Sequence, residues 1–455
     1  NYPENGNWAP HLHFQIMLST LNYKIDFPGV CYFNQIDVWK GLCPNPNFLF
    51  KSVDLNYTND KSDDELINYR KKHLGKSLKL HYEEPINIVR GEGVYLISKN
   101  GRKYLDTINN VAHVGHENES VVIEGQNQMS ILNTNSRYLH KSINELAEEI
   151  IQTLPEKLNV IHFVNSGSEA NELAVRMMKS HTGSNDIIVS ENGYHGNTNI
   201  CVDISSYKFD GKGGKGAPEN THVIPMPTKF NGKHKGEEAC EGYINEIKNS
   251  IKNLKSKNRD LGGFIIEPII SCGGQVELPD GFLKTAYDLI RENGGICISD
   301  EVQVGCGRLG ESFWGFELHD VIPDIITIGK PLGNGHPIGA VVCTSEIAES
   351  FANGMEFFNT FGGNPVSCSI ATQVLKVVKN ENLQKNAKTI GNYFKNELKN
   401  LSDKYDIIGD VRGQGLFLGI EFVDHKMNPL FRETKYIVNR LKDFGILASL
   451  DGPNR

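Results

Sequence analysis

Short apolar runs, each stopped by a polar residue, recur through the middle of the chain. They are Val160-Ile-His-Phe-Val164, Asp186-Ile-Ile-Val-Ser190, Gly263-Phe-Ile-Ile-Glu267, Ile296-Cys-Ile-Ser299 and Ile325-Ile-Thr-Ile328. Runs this short and this rich in β-branched residues suit strands buried on both faces of a parallel sheet. Amphipathic stretches separate them, including 143–152 and 169–179, the latter opened by Ser168. This alternation predicts a mostly parallel sheet sandwiched by helices over 116–345, with Ala340-Val-Val-Cys-Thr344 as an antiparallel member.

The pattern changes on either side. Helical spacing over about 364–378 and 381–402 precedes Gly415-Leu-Phe-Leu-Gly-Ile-Glu-Phe-Val423 and a further helix at about 430–443. That predicts a smaller α+β domain over 346–455. Upstream, Ser62 reads as the N-cap of a polar helix with acids first and bases last. Ile88-Val-Arg-Gly-Glu-Gly-Val-Tyr-Leu-Ile97 and Arg102-Lys-Tyr-Leu-Asp-Thr-Ile108 flank an Asn-Gly turn, a hairpin signal. We assign 49–115 to the N-terminal part of the small domain. Residues 1–48, rich in Asn, Pro and aromatics, look foreign to the rest, with Pro44-Asn-Pro46 as the linker. No internal repeat is visible.

Composition narrows the class. The 455 residues are 39% apolar and 22% charged, which suits a globular protein of two or three domains. The net charge of -8 argues against a nucleic-acid binder. No run reaches the ~18 apolar residues of a membrane span, and no secretory leader opens the chain. The nine cysteines are scattered without a Cys-x-x-Cys pair, which points to a reducing compartment, the cytoplasm, and to no disulfide frame or zinc cage. The chain starts at Asn1 and stops at Arg455 directly after a strand-like run, so a fragment cut at both ends is expected.

Candidate chemistry gathers at strand ends. Asp300 and Lys330 each follow an apolar run, and ligands of open α/β sheets lie beyond the carboxyl ends of the strands. A carboxylate and an amine at one sheet edge match the needs of pyridoxal phosphate. The amine captures the aldehyde and the acid keeps the ring nitrogen protonated. Asn165-Ser-Gly-Ser-Glu-Ala170 joins a strand to a helix, where small residues and free N–H groups suit a phosphate. An ordinary serine N-cap is the other reading. Tyr194, after the next strand, is either a ring-stacking aromatic or a packed one. Gly305-Cys-Gly-Arg-Leu-Gly310 fits G-x-G-x-x-G, but no helix pattern follows, and a dinucleotide site is rejected. The Gly-Lys run 211–216 fits no phosphate loop and reads as a solvated loop.

Seven motifs then occur in order: Asn165-Ser-Gly-Ser-Glu-Ala-Asn171, Tyr194-His-Gly196, Glu267-Pro268, Asp300-Glu-Val-Gln303, Gly329-Lys330, Asn359-Thr-Phe-Gly-Gly-Asn-Pro365 and Val411-Arg-Gly-Gln-Gly-Leu416. From about residue 60 onward the chain resembles the class III aminotransferases, fold type I pyridoxal phosphate enzymes. The resemblance implies that Lys330 holds the cofactor and shuttles the proton, with Asp300 against the ring nitrogen and Gln303 by the ring hydroxyl. Ser166, Gly167 and Ser168 would hold the phosphate, Tyr194 and His195 would flank the ring, and Thr360 would reach the phosphate of a neighbouring subunit in a homodimer. Glu267 would lie on the substrate side. Arg412 would grip a substrate carboxylate, unless it sits in a structural ion pair.

The segments 108–116, 133–140 and 329–337 resemble the ethanolamine-phosphate and phosphohydroxylysine phospho-lyase branch, in which His113, Arg137 and His336 could meet a substrate phosphate. The expected activity is transamination of a primary amine. Phosphate elimination and a non-catalytic cofactor-binding module are the alternatives. Trp8-Ala-Pro-His-Leu-His-Phe-Gln-Ile16 resembles the closing strand of lysostaphin-type zinc endopeptidases. His11 and His13 would bind metal only in an intact peptidase domain, because zinc needs at least three protein ligands.

Overall fold

A computed structural model describes residues 61–452. His11, His13 and the 44–46 linker lie outside them. The described residues fall into two units that divide between His81 and Tyr82. In the first, the helix Asp63–His73 begins with a reciprocal cap. Ser62 Oγ accepts from Glu65 N at 3.2 Å, and the Glu65 carboxylate accepts from Ser62 N at 2.7 Å.

The second unit is organised around seven strands: β1 (Val160–Val164), β2 (Asp186–Ser190), β3 (Thr221–Ile224), β4 (Leu261–Ile266), β5 (Ile296–Asp300), β6 (Ile325–Ile328) and β7 (Gly339–Cys343). Their order across the sheet is β1-β7-β6-β5-β4-β2-β3. All neighbours are parallel except β7, which runs antiparallel to both β6 and β1. Successive side chains point to opposite faces. Ile188, Phe264 and Ile326 therefore pack under the helices Ala239–Ser256 and Phe282–Glu292. Val189, Ile265 and Ile298 pack on the other face against Leu173 and Met177 of the helix Gly167–Thr182. Two covered faces explain why these runs lack polar alternation.

Two expectations need correction. The apolar run 88–97 is not one strand. It reverses at Gly93, held at φ 55°, into the pair Ile88–Glu92 and Tyr95–Ser98. Lys103–Asp106 adds antiparallel to that pair, and Ile446–Leu447 adds parallel to Lys103–Asp106. The helix near 169 is capped by Ser166, whose Oγ accepts from Glu169 N at 3.1 Å, so it begins at Gly167 rather than after Ser168. Near the C-terminus, Ile408–Gln414 and Phe417–Phe422 pair antiparallel beside the helix Leu383–Ser402.

Candidate active site

Asp300 ends β5 and Lys330 follows β6, which lies next to it, so register alone brings acid and amine to one edge. The Asp300 carboxylate is buried and fixed on both sides. Its Oδ2 accepts from Asn171 Nδ2 at 2.8 Å and lies 2.8 Å from His195 Nδ1. Its Oδ1 accepts from Val302 N at 3.1 Å and from Thr327 Oγ1 at 3.4 Å. His195 Nε2 is buried without a protein partner. Lys330 is held at φ 20°, where residues with a β-carbon seldom sit. Burial lowers the pKa of its amine, which favours the neutral, nucleophilic form.

A cavity of about 290 Å³ opens above these groups. Ser166, Gly167 and Ser168 form one wall, Tyr194 to Gly196 another, and Asp300, Gln303 and Lys330 also line it. Its walls meet where side chains are missing. A β-carbon on Gly196, at φ 129°, would stand 2.6 Å from Ser168 Oγ, and one on Gly167 would stand 2.7 Å from Val302 Cγ1. The first turn of the Gly167–Thr182 helix leaves N–H groups without intrahelical partners, which suits an anion. An oriented buried acid, a lysine of lowered pKa and an anion cradle together fit pyridoxal phosphate.

Gln303 Oε1 accepts from Asn110 Nδ2. Glu267 follows β4 behind Tyr194, accepting from Ser271 Oγ and, at 3.4 Å, from Tyr194 N. Burial, and then the nearby Asp300 charge, push its carboxyl up to about 7. Thr360 is exposed. Its neighbour Asn359 is tied to Asn165 and Glu169 at 2.9 and 2.8 Å. His336 lines the cavity and lies 2.9 Å from Ser367 Oγ.

His113, Arg137 and Arg412 do not line the cavity. Both nitrogens of His113 are engaged, with the Cys306 carbonyl at 2.7 Å and Arg308 at 3.1 Å. Burial, helped by Arg308, lowers the His113 pKa to about 3. Arg137 pairs with Glu356 at 2.9 Å over the Phe358 ring. Arg412 donates from Nη1 to Asp410 at 2.9 Å and to Glu421 at 2.5 Å, and from Nε to the Gly274 carbonyl at 2.8 Å. Among the described residues there is no cluster of three or more His, Cys, Asp or Glu able to hold a metal, and no helix long and apolar enough to cross a membrane.

Sequence reasoning gave no role to Asn171, Asn110 or Glu301. Asn171 was readable, since it lies about one helical turn beyond Gly167 and faces the same way. Glu301, adjacent to Asp300, points the opposite way into the core. It accepts from Gly315 N at 2.6 Å, Phe316 N at 2.9 Å and Ser299 Oγ at 2.9 Å.

Known proteins bear on this geometry. The family model "Aminotransferase class-III" matches residues 79–455. The chain belongs to the class III aminotransferase family. As a class III enzyme it has the fold type I architecture, depends on pyridoxal phosphate and acts on amines. "Alanine--glyoxylate aminotransferase 2-like" of Drosophila melanogaster is 43% identical over 90% of this chain and 84% of its own. "Alanine--glyoxylate aminotransferase 2, mitochondrial" of Homo sapiens is 38% identical, covering 84% of this chain and 79% of its own. A phospholyase from Arthrobacter, solved in complex with phosphoethanolamine, superposes with TM-score 0.82 at 35% identity, covering 86% of this chain and 92% of its own. The class III fold expected from the seven motifs is therefore correct.

Proposed function

We propose that this class III enzyme eliminates phosphate from a small amino-alcohol phosphate such as phosphoethanolamine. The observation that carries the reading is its likeness to the Arthrobacter phospholyase, whose complex holds that compound. The state of Arg412 supports it. A carboxylate is best gripped by two parallel N–H groups, and Arg412 already commits Nε and Nη1 to Gly274, Asp410 and Glu421.

Pyridoxal phosphate, when bound, supplies an aldehyde for the amine and a cationic ring that accepts an electron pair. In this reading Asp300, oriented by Asn171 and His195, holds the proton on the ring nitrogen. Ser166, Gly167 and Ser168 would hold the cofactor's phosphate, Tyr194 would pack against its ring, and Gln303 would serve its ring hydroxyl. Lys330, its pKa lowered by burial, takes the proton from the carbon bearing the nitrogen. The C–O bond to phosphate on the adjacent carbon then breaks. The electron pair of the C–H bond becomes a C=C bond, and water completes conversion to an aldehyde and ammonia.

Transamination is the second reading, supported by the two aminotransferase relatives. Incubation with phosphoethanolamine and no keto acid separates them. Phosphate and ammonia in equal amounts are expected. A strict keto-acid requirement would establish transamination instead, and cofactor absorbance without any turnover would indicate a non-catalytic module.

We also assign a homodimer that shares its sites through Thr360. Support comes from apolar side chains left exposed near that loop and elsewhere, among them Phe361, Met355, Ile131 and Leu139. The seven free cysteines among the described residues support a reducing compartment, which we assign to the cytoplasm.

A further inference from the structure

A substrate phosphate must find a cation in a protein of net charge -8. The cations around the cavity are mostly committed. Lys330 is reserved for the cofactor. Arg412 is held by two carboxylates and a carbonyl. Arg308 is buried, donating to the Asn110 carbonyl at 3.0 Å and to His113 at 3.1 Å. His113 and His336 both have pKa values lowered by burial, and Arg137 is paired with Glu356.

Lys208 differs from all of these. Its Nζ lies 5.5 Å from the ring centroid of Tyr194, a residue lining the cavity, and 5.8 Å from that of Tyr207. Among the described residues it makes no ion pair with a carboxylate. It is half-buried on the short helix Ser206–Phe209. That segment is fastened to the cavity wall, since Tyr207 N donates to the Gly193 carbonyl at 3.3 Å, Asn192 N to Ser206 Oγ at 3.1 Å and His195 N to Ser205 Oγ at 2.8 Å. The Gly-Lys run that fitted no phosphate loop has its place here. Gly216 N donates to the Phe209 carbonyl at 3.0 Å. A β-carbon on Gly214 would stand 2.0 Å from the oxygen of Phe209 and 2.6 Å from that of Lys208. Only a glycine lets the loop fold this closely onto the backbone carrying Lys208.

We infer that Lys208 receives the substrate's phosphate beside Tyr194, and so selects amines that carry a phosphate. The inference rests on the phospho-lyase reading above. A cation held only by aromatic faces is weakly held, and a phosphate oxygen forms the stronger, charge-assisted bond. Lys208 can therefore leave the rings for the substrate, and the rings keep it near the cavity until then.

Steady-state phosphate release by the cofactor-loaded enzyme tests this. Lys208→Met and Lys208→Gln should each raise KM for phosphoethanolamine by about tenfold to a hundredfold, with kcat changed less than about threefold. The inhibition constant of inorganic phosphate should rise in parallel. Lys208→Arg should recover most of the loss, and cofactor absorbance should persist in all three variants. An unchanged KM in the Met and Gln variants overturns the role of Lys208 while the phospho-lyase reading stands. Loss of the cofactor band from those variants also overturns it, by assigning Lys208 to the cofactor's own phosphate. No phosphate release by the unaltered enzyme would sink both.

Discussion

The chemistry at the sheet edge depends on carboxylates that water does not reach. Asp300 is surrounded by donors, so its charge is compensated where it stands. Glu267 is less well provided. Its carboxyl is pushed up to about 7 because burial, and then Asp300, disfavour its charge. The sign of the pH effect follows. Between about pH 4.5 and 7 the folded chain keeps a proton on Glu267 that the unfolded chain has released, so folding stability falls as pH rises through that window. Glu267→Gln should remove this slope. The variant should match the unaltered protein near pH 4.5 and exceed it at pH 8 by up to about 3 kcal/mol, measured by denaturant unfolding without cofactor. Equal pH dependence in the two proteins would show that Glu267 ionises normally. Sequence reasoning found Asp300 and Lys330 because each ends an apolar run. It could not tell that Glu301, one residue on, is a core acid whose three donors come from Gly315, Phe316 and Ser299.

At the scale of elements, the anion cradle is a strand, a turn of small residues and a helix N-terminus, closed by the Gly196 turn. Backbone lies where side chains would collide. Gly196→Ala would force a β-carbon to within 2.6 Å of Ser168 Oγ at a φ of 129°. We expect a stability loss of about 1–3 kcal/mol and cofactor binding weakened by about tenfold or more. Thermal melting checks the first effect and cofactor titration the second. A variant that binds normally would mean that Ser168 takes no part in the cradle. The strands of this layer were legible because burial on both faces leaves a continuous apolar signature. Thr221–Ile224 was missed, since it is a short edge strand with a Thr-His start and half its residues partly exposed. The 88–97 run was misread because a two-strand reversal at Gly93 keeps the same apolar composition as a single strand.

At the scale of the whole molecule, the proposed shared site makes a prediction that no single subunit can satisfy. Lys330→Met alone should lose activity on the order of 10³-fold or more, and Thr360→Ala alone should bind cofactor weakly. Mixed and reassociated, half the dimers carry one subunit of each kind. Each mixed dimer then contains one site with both Lys330 and the partner's Thr360 intact, so activity should return to about a quarter of the unaltered level. No recovery on mixing would mean that Thr360 serves its own subunit or neither. The sequence by itself determined the alternation of elements, the acid and amine at strand carboxyl ends, and the seven motifs that identify the family, because strand period, chain direction and motif spacing are local properties; that the two strands lie side by side was decided by the sheet order. Tertiary structure alone decided which cations are free. Arg412, Arg137 and His113 look available on paper but are bonded, Arg137 and His113 by groups distant in sequence and Arg412 by Asp410, Glu421 and the Gly274 carbonyl, whereas Lys208, on the short helix Ser206–Phe209, lies beside Tyr194 of the cavity wall and pairs with no carboxylate among the described residues. A side chain's charge is written in the chain, but its availability depends on which opposite charges folding brings beside it.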